Sequence, residues 1–364
     1  MSNQLTSTDW FSKPGDSMRA AMQRKGKSAD DLASHLNGGL QEVRGLMEGS
    51  LAIDENTAGA LARALGATST FWLQRQANYE ISLERAVSAA LPRVDEWLDV
   101  VPTPGPARRG QFTEEAMRSE LERRLVFFSV PTLDAWQQRY GNVFSDTKFR
   151  TSPSFQSSKA ATTLWLRRGE LEADLAITKP FRESRLREVL PAIRELTRIS
   201  KPDRFLPKLK VLCAEAGVAV VVVKTPSGCH ASGASRMISA DKAMMLLSFR
   251  HRADDHFWFT VFHELGHLIL HGGQTFVDAE DTIVDALEQE ANQFAADCIL
   301  PDSERSQLAS LSPDRRSVLS FSKINGISPG LTVGQMQHLK LISHSKLNSL
   351  KRRWAWADID PALV

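Results

Sequence analysis

The sequence predicts an α+β, multidomain protein, with an all-α N-terminal bundle, a helical middle segment and a C-terminal domain whose small sheet precedes a buried helix. Three observations carry this. Over residues 15–85, apolar residues recur in short helical runs punctuated by glycine. The stretch Val101-Pro102-Thr103-Pro104-Gly105-Pro106 fits neither a helix nor a central strand. From residue 218, β-branched runs give way to an apolar helix bearing His263-Glu264-Leu265-Gly266-His267. The expected division is 1–87 (helical bundle), 88–111 (linker), 112–205 (mostly helical middle domain), 206–310 (sheet and buried helix) and 311–364 (helical tail). A chain of 364 residues has room for two or three such domains.

Composition narrows the class. A 42% apolar fraction is that of an ordinary globular protein, and a net charge of +2 supplies no global attraction to nucleic acid or membrane. Three cysteines, Cys213, Cys229 and Cys298, make no even framework and imply a reducing compartment. Met1-Ser2-Asn3-Gln4-Leu5 has neither a basic start nor an apolar core, and apolar runs break well short of a membrane span. The expectation is a cytoplasmic protein without a membrane partner.

In the N-terminal bundle, Ser28-Ala29-Asp30-Asp31 resembles a capping box with Asp in place of Glu. Leu32, Ala33 and Leu36 form one apolar face, and Asn37-Gly38-Gly39 a turn. Leu40, Val43 and Met47 begin the next face. Ala58, Leu61, Ala62 and Leu65 make another, ended by Gly66, and Ser69-Thr70 opens a helix through Trp72 and Tyr79. Short helices across a glycine turn suggest a helix-turn-helix module, with a reading helix over 39–47 presenting Gln41 and Arg44 to DNA. Charge does not favour that role, since residues 1–80 hold eight Lys/Arg against nine Asp/Glu, a net of −1. The alternative is a bundle kept for dimerisation or protein recognition.

Residues 107–210 carry 21 Lys/Arg and 13 Asp/Glu, a net of +8, which reads as solvated helix faces before it reads as a nucleic-acid surface. Val218–Lys224 is a strand, with neighbours over 232–238 and 243–248. Segment 232–238 is the candidate edge strand for holding a peptide by main-chain hydrogen bonds. His230 and Arg236 are candidate oxyanion stabilisers. Beyond Pro301 the sequence suggests a helix over 341–350 and an exposed basic end at Lys351-Arg352-Arg353-Trp354.

The chemistry concentrates in His263, Glu264 and His267. Two histidines four apart on a helix are separated by about 40° of rotation and roughly 6 Å of rise, so both can reach one ion. Glu264 sits where it can take a proton from water activated by that ion. Phe257-Trp258-Phe259-Thr260-Val261-Phe262 and Leu268-Ile269-Leu270 make the helix apolar almost all round, hence buried. Asp254 and Asp255 are cap candidates, and Gly272-Gly273 a stop. Two hydrogen-bonded core histidines beside a coincidental Glu are the bland alternative. His271 lies about 12 Å along the axis from His263, too far to share the ion, and reads as a supporting residue. A third ligand has to come from a later segment. The helical run from Val284 to Cys298 offers Glu288 and Glu290 on opposite sides of its apolar stripe, and periodicity does not choose between them.

His263-Glu264-Leu265-Gly266-His267, Glu290-Ala291-Asn292-Gln293-Phe294-Ala295-Ala296 and Leu300-Pro301 together resemble the ImmA/IrrE family of metallo-endopeptidases. Segments 247–259 and 165–170 are similar to longer members. The resemblance implies a zincin-like (mini-gluzincin) domain binding Zn2+ through His263, His267 and Glu290, with Glu264 as catalytic base. It implies as substrate a transcriptional repressor or antitoxin, with one encoded nearby as a candidate, whose loss derepresses stress, mobile-element or defence genes. Leu32-Ala33, Gly49, Ala62, Leu65-Gly66 and Ser69-Thr70-Phe71-Trp72-Leu73 more diffusely resemble the HigA-type branch of the Xre-like helix-turn-helix family. That likeness implies DNA as a partner, and a homodimer is compatible with it. Ala29 and Gly39 replace polar residues usual in that pattern, and Glu42 and Glu48 add negative charge. A second reading is therefore kept: a helix-turn-helix regulator or antitoxin-like sensor whose metal domain binds a signal or partner without proteolysis.

Overall fold

The computed structural model describes residues 11–105, 113–141, 153–272, 275–279 and 286–360. Met1 to Leu5, Pro106, Gly273 and Val284, named above, lie outside them. The chain divides into two compact units, Met1–Ile177 and Thr178–Val364.

Among the described residues the first unit is all helix: α1 (Pro14–Lys25), α2 (Ala29–Ala33), α3 (Gly39–Glu48), α4 (Glu55–Leu65), α5 (Ser69–Ala90), a 3-10 turn at Leu91–Arg93, α6 (Val94–Val100), α7 (Glu114–Phe128), α8 (Leu133–Tyr140) and α9 (Pro153–Leu175). The capping box forms as the sequence suggests, with Ser28 Oγ accepting from Asp31 N and the Asp31 carboxylate accepting from Ser28 N. Leu32, Leu36, Val43, Met47, Ala58, Leu61 and Leu65 all enter one core with Trp72. A second core gathers Tyr79, Leu83, Trp97, Leu121, Leu125, Phe128, Trp136 and Tyr140.

That second core corrects the expected linker. Residues 88–100 are helical, and Trp97 and Val101 are buried at 2% and 1% exposure. The prolines restrict the backbone only from residue 102 onward, while the apolar residues before them have a core to enter. The basic middle segment is also not a set of solvated faces throughout. Arg124 pairs with Glu120 at 2.6 Å and Arg167 with Glu170 at 2.8 Å, all four side chains at most 4% exposed.

The second unit contains α10 (Glu183–Leu196), α11 (Pro202–Glu215), β1 (Val218–Val222), β2 (Ala231–Ser239), β3 (Lys242–Leu247), α12 (Asp254–Leu270), β4 (Phe276–Ala279), α13 (Ala286–Ile299), α14 (Asp302–Ala309), α15 (Arg315–Ile324), α16 (Pro329–His338) and α17 (Trp356–Ile359). The four strands form one mixed sheet in the order β1-β3-β2-β4, with β1 parallel to β3 and the other pairs antiparallel. A helical unit and a unit carrying a mixed sheet together make an α+β layout.

The sheet order corrects the candidate edge. Ala231 through Ser235 of β2 pair with β4 on one side, and β2 pairs with β3 on the other, so β2 is inner there and β4 is the outer strand among the described residues. Short β4 carries too little β-branched pattern to announce itself in sequence.

The unit's core also redraws the expected 206–310 domain. Leu186 and Ile193 of α10, upstream of it, share a core with Val218, Met245, Trp258 and Phe262. So do Val318, Phe321, Leu331, Met336 and Trp354 from the segment expected to be a tail. Residues 341–350 form turns and a 3-10 turn at Asn348–Leu350, with Leu347 at φ 63°, instead of a helix. The basic end is only partly exposed: Lys351 Nζ pairs with Asp255 at 2.6 Å, and Trp354 is 6% exposed and donates to Ser200 O, while Arg353 between them is exposed. Among the described residues, no helix is long and apolar enough to cross a membrane.

Candidate metal centre

Helix α12 is buried along most of its length because its sequence is apolar on nearly every face. Ala253 is its N-cap, and Asp254 and Asp255 occupy its first turn. Asp254 accepts from Ser328 Oγ and from Arg352 N, each at 2.9 Å, tying the start of the helix to the last part of the chain. Burial pushes its carboxyl up to about 6.

Two turns further on, His263 and His267 are 2% and 1% exposed and Glu264 is fully buried. The two Nε2 atoms lie 3.0 Å apart. Glu288, in the first turn of α13, brings Oε2 to 3.2 Å from His263 Nε2 and Oε1 to 3.4 Å from His267 Nε2. Donor atoms of these three residues lie within 4.8 Å of one another. Ligands held about 2.0–2.1 Å from a tetrahedral ion stand about 3.3–3.4 Å apart, so this donor set fits zinc. Burial opposes ionisation of Glu288, but the two imidazoles against its carboxylate outweigh it and hold the carboxyl down to about 2. Burial also lowers the His267 pKa, favouring the neutral imidazole a metal needs.

The geometry therefore selects Glu288 over Glu290, the residue carried over from the family pattern. Two residues of helix are about 200° of rotation. With Glu288 facing the histidines, Glu290 faces away, 61% exposed in its side chain and paired with His271 at 2.9 Å. His271 is outside this donor set, its Nδ1 3.1 Å from His267 Nδ1.

Two helices approach closely to make this possible. A Cβ on Gly266 would stand 3.0 Å from Phe294 Cδ1 and 3.4 Å from Ala291 Cα. The glycine between the histidines and the alanine and phenylalanine of α13 are thus one packing contact. Asn292, one turn after Glu288, places Oδ1 3.1 Å from His263 Nδ1 and orients that ring. Phe276 of β4 stacks on His267 with ring centroids 3.8 Å apart and planes at 13°. Sequence reading assigned neither residue a role, although Asn292 stands inside the quoted motif. The spacing Glu288 to Asn292, one helical turn, was the signal that could have found the ligand.

Gly233 is another missed residue. A Cβ there would lie 2.5 Å from Glu264 Oε1 and 2.6 Å from Thr260 Cγ2. The catalytic candidate thus lies against the backbone of β2 where any side chain would displace it. Of the proposed oxyanion residues, His230 is exposed before β2, its carbonyl accepting from Arg250 Nη1, and Arg236 sits in β2 opposite Met244.

In the first unit, the residues proposed to read DNA are differently placed. Gln41 is exposed on α3. Arg44 Nε donates to Glu172 Oε2 of α9 at 3.1 Å, both side chains 12% exposed. Arg168 of α9 pairs with Glu48 at 2.6 Å and with Glu172 at 2.8 Å. Glu42 is turned back onto its own helix start, accepting from Gly38 N at 2.7 Å. The Arg44 side of α3 is therefore an internal contact.

A buried helix offering two imidazoles and a carboxylate from its neighbour, beside a small mixed sheet, is an arrangement that could hold a metal ion. Residues 217–317 match the family model of the IrrE N-terminal-like domain, Peptidase_M78, which supports a metallopeptidase-type hydrolase at the level of family. Among curated proteins, none matches the chain.

Proposed function

We propose that this protein is a zinc-dependent endopeptidase. The convergence of His263, His267 and Glu288 on one point, with Glu264 one residue from the first ligand, is the observation that carries the reading. Those three side chains would hold the ion, which when bound supplies the Lewis acidity that makes water nucleophilic near neutral pH. Glu264 takes the proton of the attacking water on its carboxylate and delivers it to the leaving amine. Burial of Glu264 against Gly233 keeps that carboxylate in one orientation. Asn292 fixes the ring of His263, and the stacked Phe276 limits rotation of His267.

The substrate we favour is a transcriptional repressor or antitoxin, supported by the resemblance of the motifs and by the family match over residues 217–317. The regulator reading has less support, because Arg44 and Glu48 are spent on α9. The test is to co-express the chain with a repressor-like protein encoded in its genomic neighbourhood, where there is one, and to follow that repressor by mass spectrometry. Cleavage by the wild type, with a loss of about 10²–10⁴-fold in Glu264→Gln at undiminished zinc content, is the expected result. An intact repressor with wild-type chain, together with a low-salt gel shift of operator DNA, would favour the regulator.

A further inference from the structure

His271 and Glu290 are left over once Glu288 completes the donor set. His271 is the C-cap of α12, one turn beyond His267 and 8% exposed. Its Nδ1 lies 3.1 Å from His267 Nδ1, and its Nε2 lies 2.9 Å from Glu290 Oε2. Three groups therefore stand in series behind one candidate ligand.

The protons in this series have one consistent arrangement. His267 turns Nε2 toward Glu288 and His263, so Nε2 is the atom free to ligate. A neutral imidazole that ligates through Nε2 carries its proton on Nδ1. His267 Nδ1 then donates, and His271 Nδ1 accepts. A neutral His271 that accepts at Nδ1 carries its own proton on Nε2 and donates it to the Glu290 carboxylate. Each tautomer follows from the one before, and the series ends on an acceptor that has no proton to contribute. Phe276 fixes the ring plane at the inner end, parallel to His267 within 13°.

We propose that Glu290 and His271 are positioning residues for the metal centre: a carboxylate–imidazole relay that holds His267 in the Nδ1–H tautomer and turned toward the ion. This rests on the reading of His263, His267 and Glu288 as metal ligands. Outer partners of this kind orient a ligating imidazole and raise its basicity. The two histidines are then held unequally, His263 by the neutral amide of Asn292 and His267 through a second imidazole to a charge. Glu290 contributes to metal affinity only through His271.

The experiment is a zinc affinity measured on the full chain by competition with a chromophoric chelator, beside the visible spectrum of the Co2+ form. Glu290 is an exposed side chain, so Glu290→Ala keeps the fold, with circular dichroism as the check. The relay predicts an affinity loss of about 10-fold in Glu290→Ala and about 10–100-fold in His271→Ala, at an unchanged cobalt coordination spectrum. Glu290→Gln, which keeps an acceptor for His271 Nε2–H, loses less than Glu290→Ala. Adding Glu290→Ala to His271→Ala costs no more than about twofold further, because the outer group has nothing left to act through. Glu288→Ala, by contrast, removes a ligand and alters the cobalt spectrum.

Wild-type zinc binding that Glu290→Ala leaves within about twofold overturns the relay alone. Losses that multiply in the double variant also overturn it. So does a cobalt spectrum that changes in Glu290→Ala, because Glu290 would then be a direct ligand. A wild-type chain that binds neither zinc nor cobalt overturns the metal-site reading and the relay with it.

Discussion

Helices α3 and α12 each carry polar residues that their spacing marks for a function, and the structure treats them in opposite ways. On α12, His263 and His267 meet within 3.0 Å, and the neighbouring helix adds a carboxylate to them. On α3, Gln41 remains at the surface while Arg44 is absorbed by Glu172 of α9. The first arrangement is local: a four-residue interval on one helix brings two side chains together whatever surrounds them. The second depends on exposure, and exposure is decided by whichever distant segment packs there. Residues 44 and 172 are too far apart in the chain for any helical period to link them.

The contrast can be strained from the α12 side first. Gly233→Ala places a methyl group where Glu264 Oε1 now lies, 2.5 Å from the new Cβ, without touching a proposed ligand. Peptide hydrolysis should fall by about 10²-fold, the usual consequence of misplacing a catalytic group by about 1 Å. Zinc content should be unchanged. Turnover at the wild-type rate, measured on the same repressor, would mean that Glu264 does not need this position.

A smaller effect probes α3. Arg44→Ala removes one of the two cations on Glu172 and leaves Arg168 on it, and should cost about 1 kcal/mol in chemical denaturation of the first unit. Arg44→Ala combined with Glu172→Ala should cost less than the sum of the two single losses. Additive losses would show that the two residues contribute independently and that the internal contact is incidental.

The smallest effect concerns the anchoring of α12. Burial raises the Asp254 carboxyl from 3.8 to about 6, above its unfolded value. Its favourable contribution is therefore complete below about pH 3.8 and is lost as pH rises through about 6. Asp254→Asn cannot ionise, so its thermal midpoint relative to wild type should improve by a few degrees from pH 5 to pH 8. A difference that is flat across that interval would place the charge elsewhere in the cluster with Asp255 and Lys351.

Much of the site was legible because its signals are short-range. The interval from His263 to His267, the apolar surroundings of α12 and the capping box at Ser28 each depend on residues within two turns of one another. The third candidate ligand was not legible in the same way. Glu288 and Glu290 flank the apolar stripe of α13 symmetrically, and only the rotation at which α13 meets α12, set by Gly266 against Ala291 and Phe294, chooses between them. Trp97 was hidden by the prolines that follow it, and β4 by its brevity.

The sequence by itself determined the short helices of the N-terminal bundle, α12 and α13, the strands β1 to β3, the pair of imidazoles and the carboxylate beside them, because backbone periodicity and side-chain chemistry act over a few residues. Tertiary structure alone decided which glutamate faces the histidines, which strand is outermost, that Arg44 is enclosed, and that the last fifty residues belong to the same core as α12. Those outcomes turn on the angle and depth at which elements pack. Packing is set by close contacts between residues far apart in the chain, at Gly233, Gly266 and Asp254, where no local rule applies.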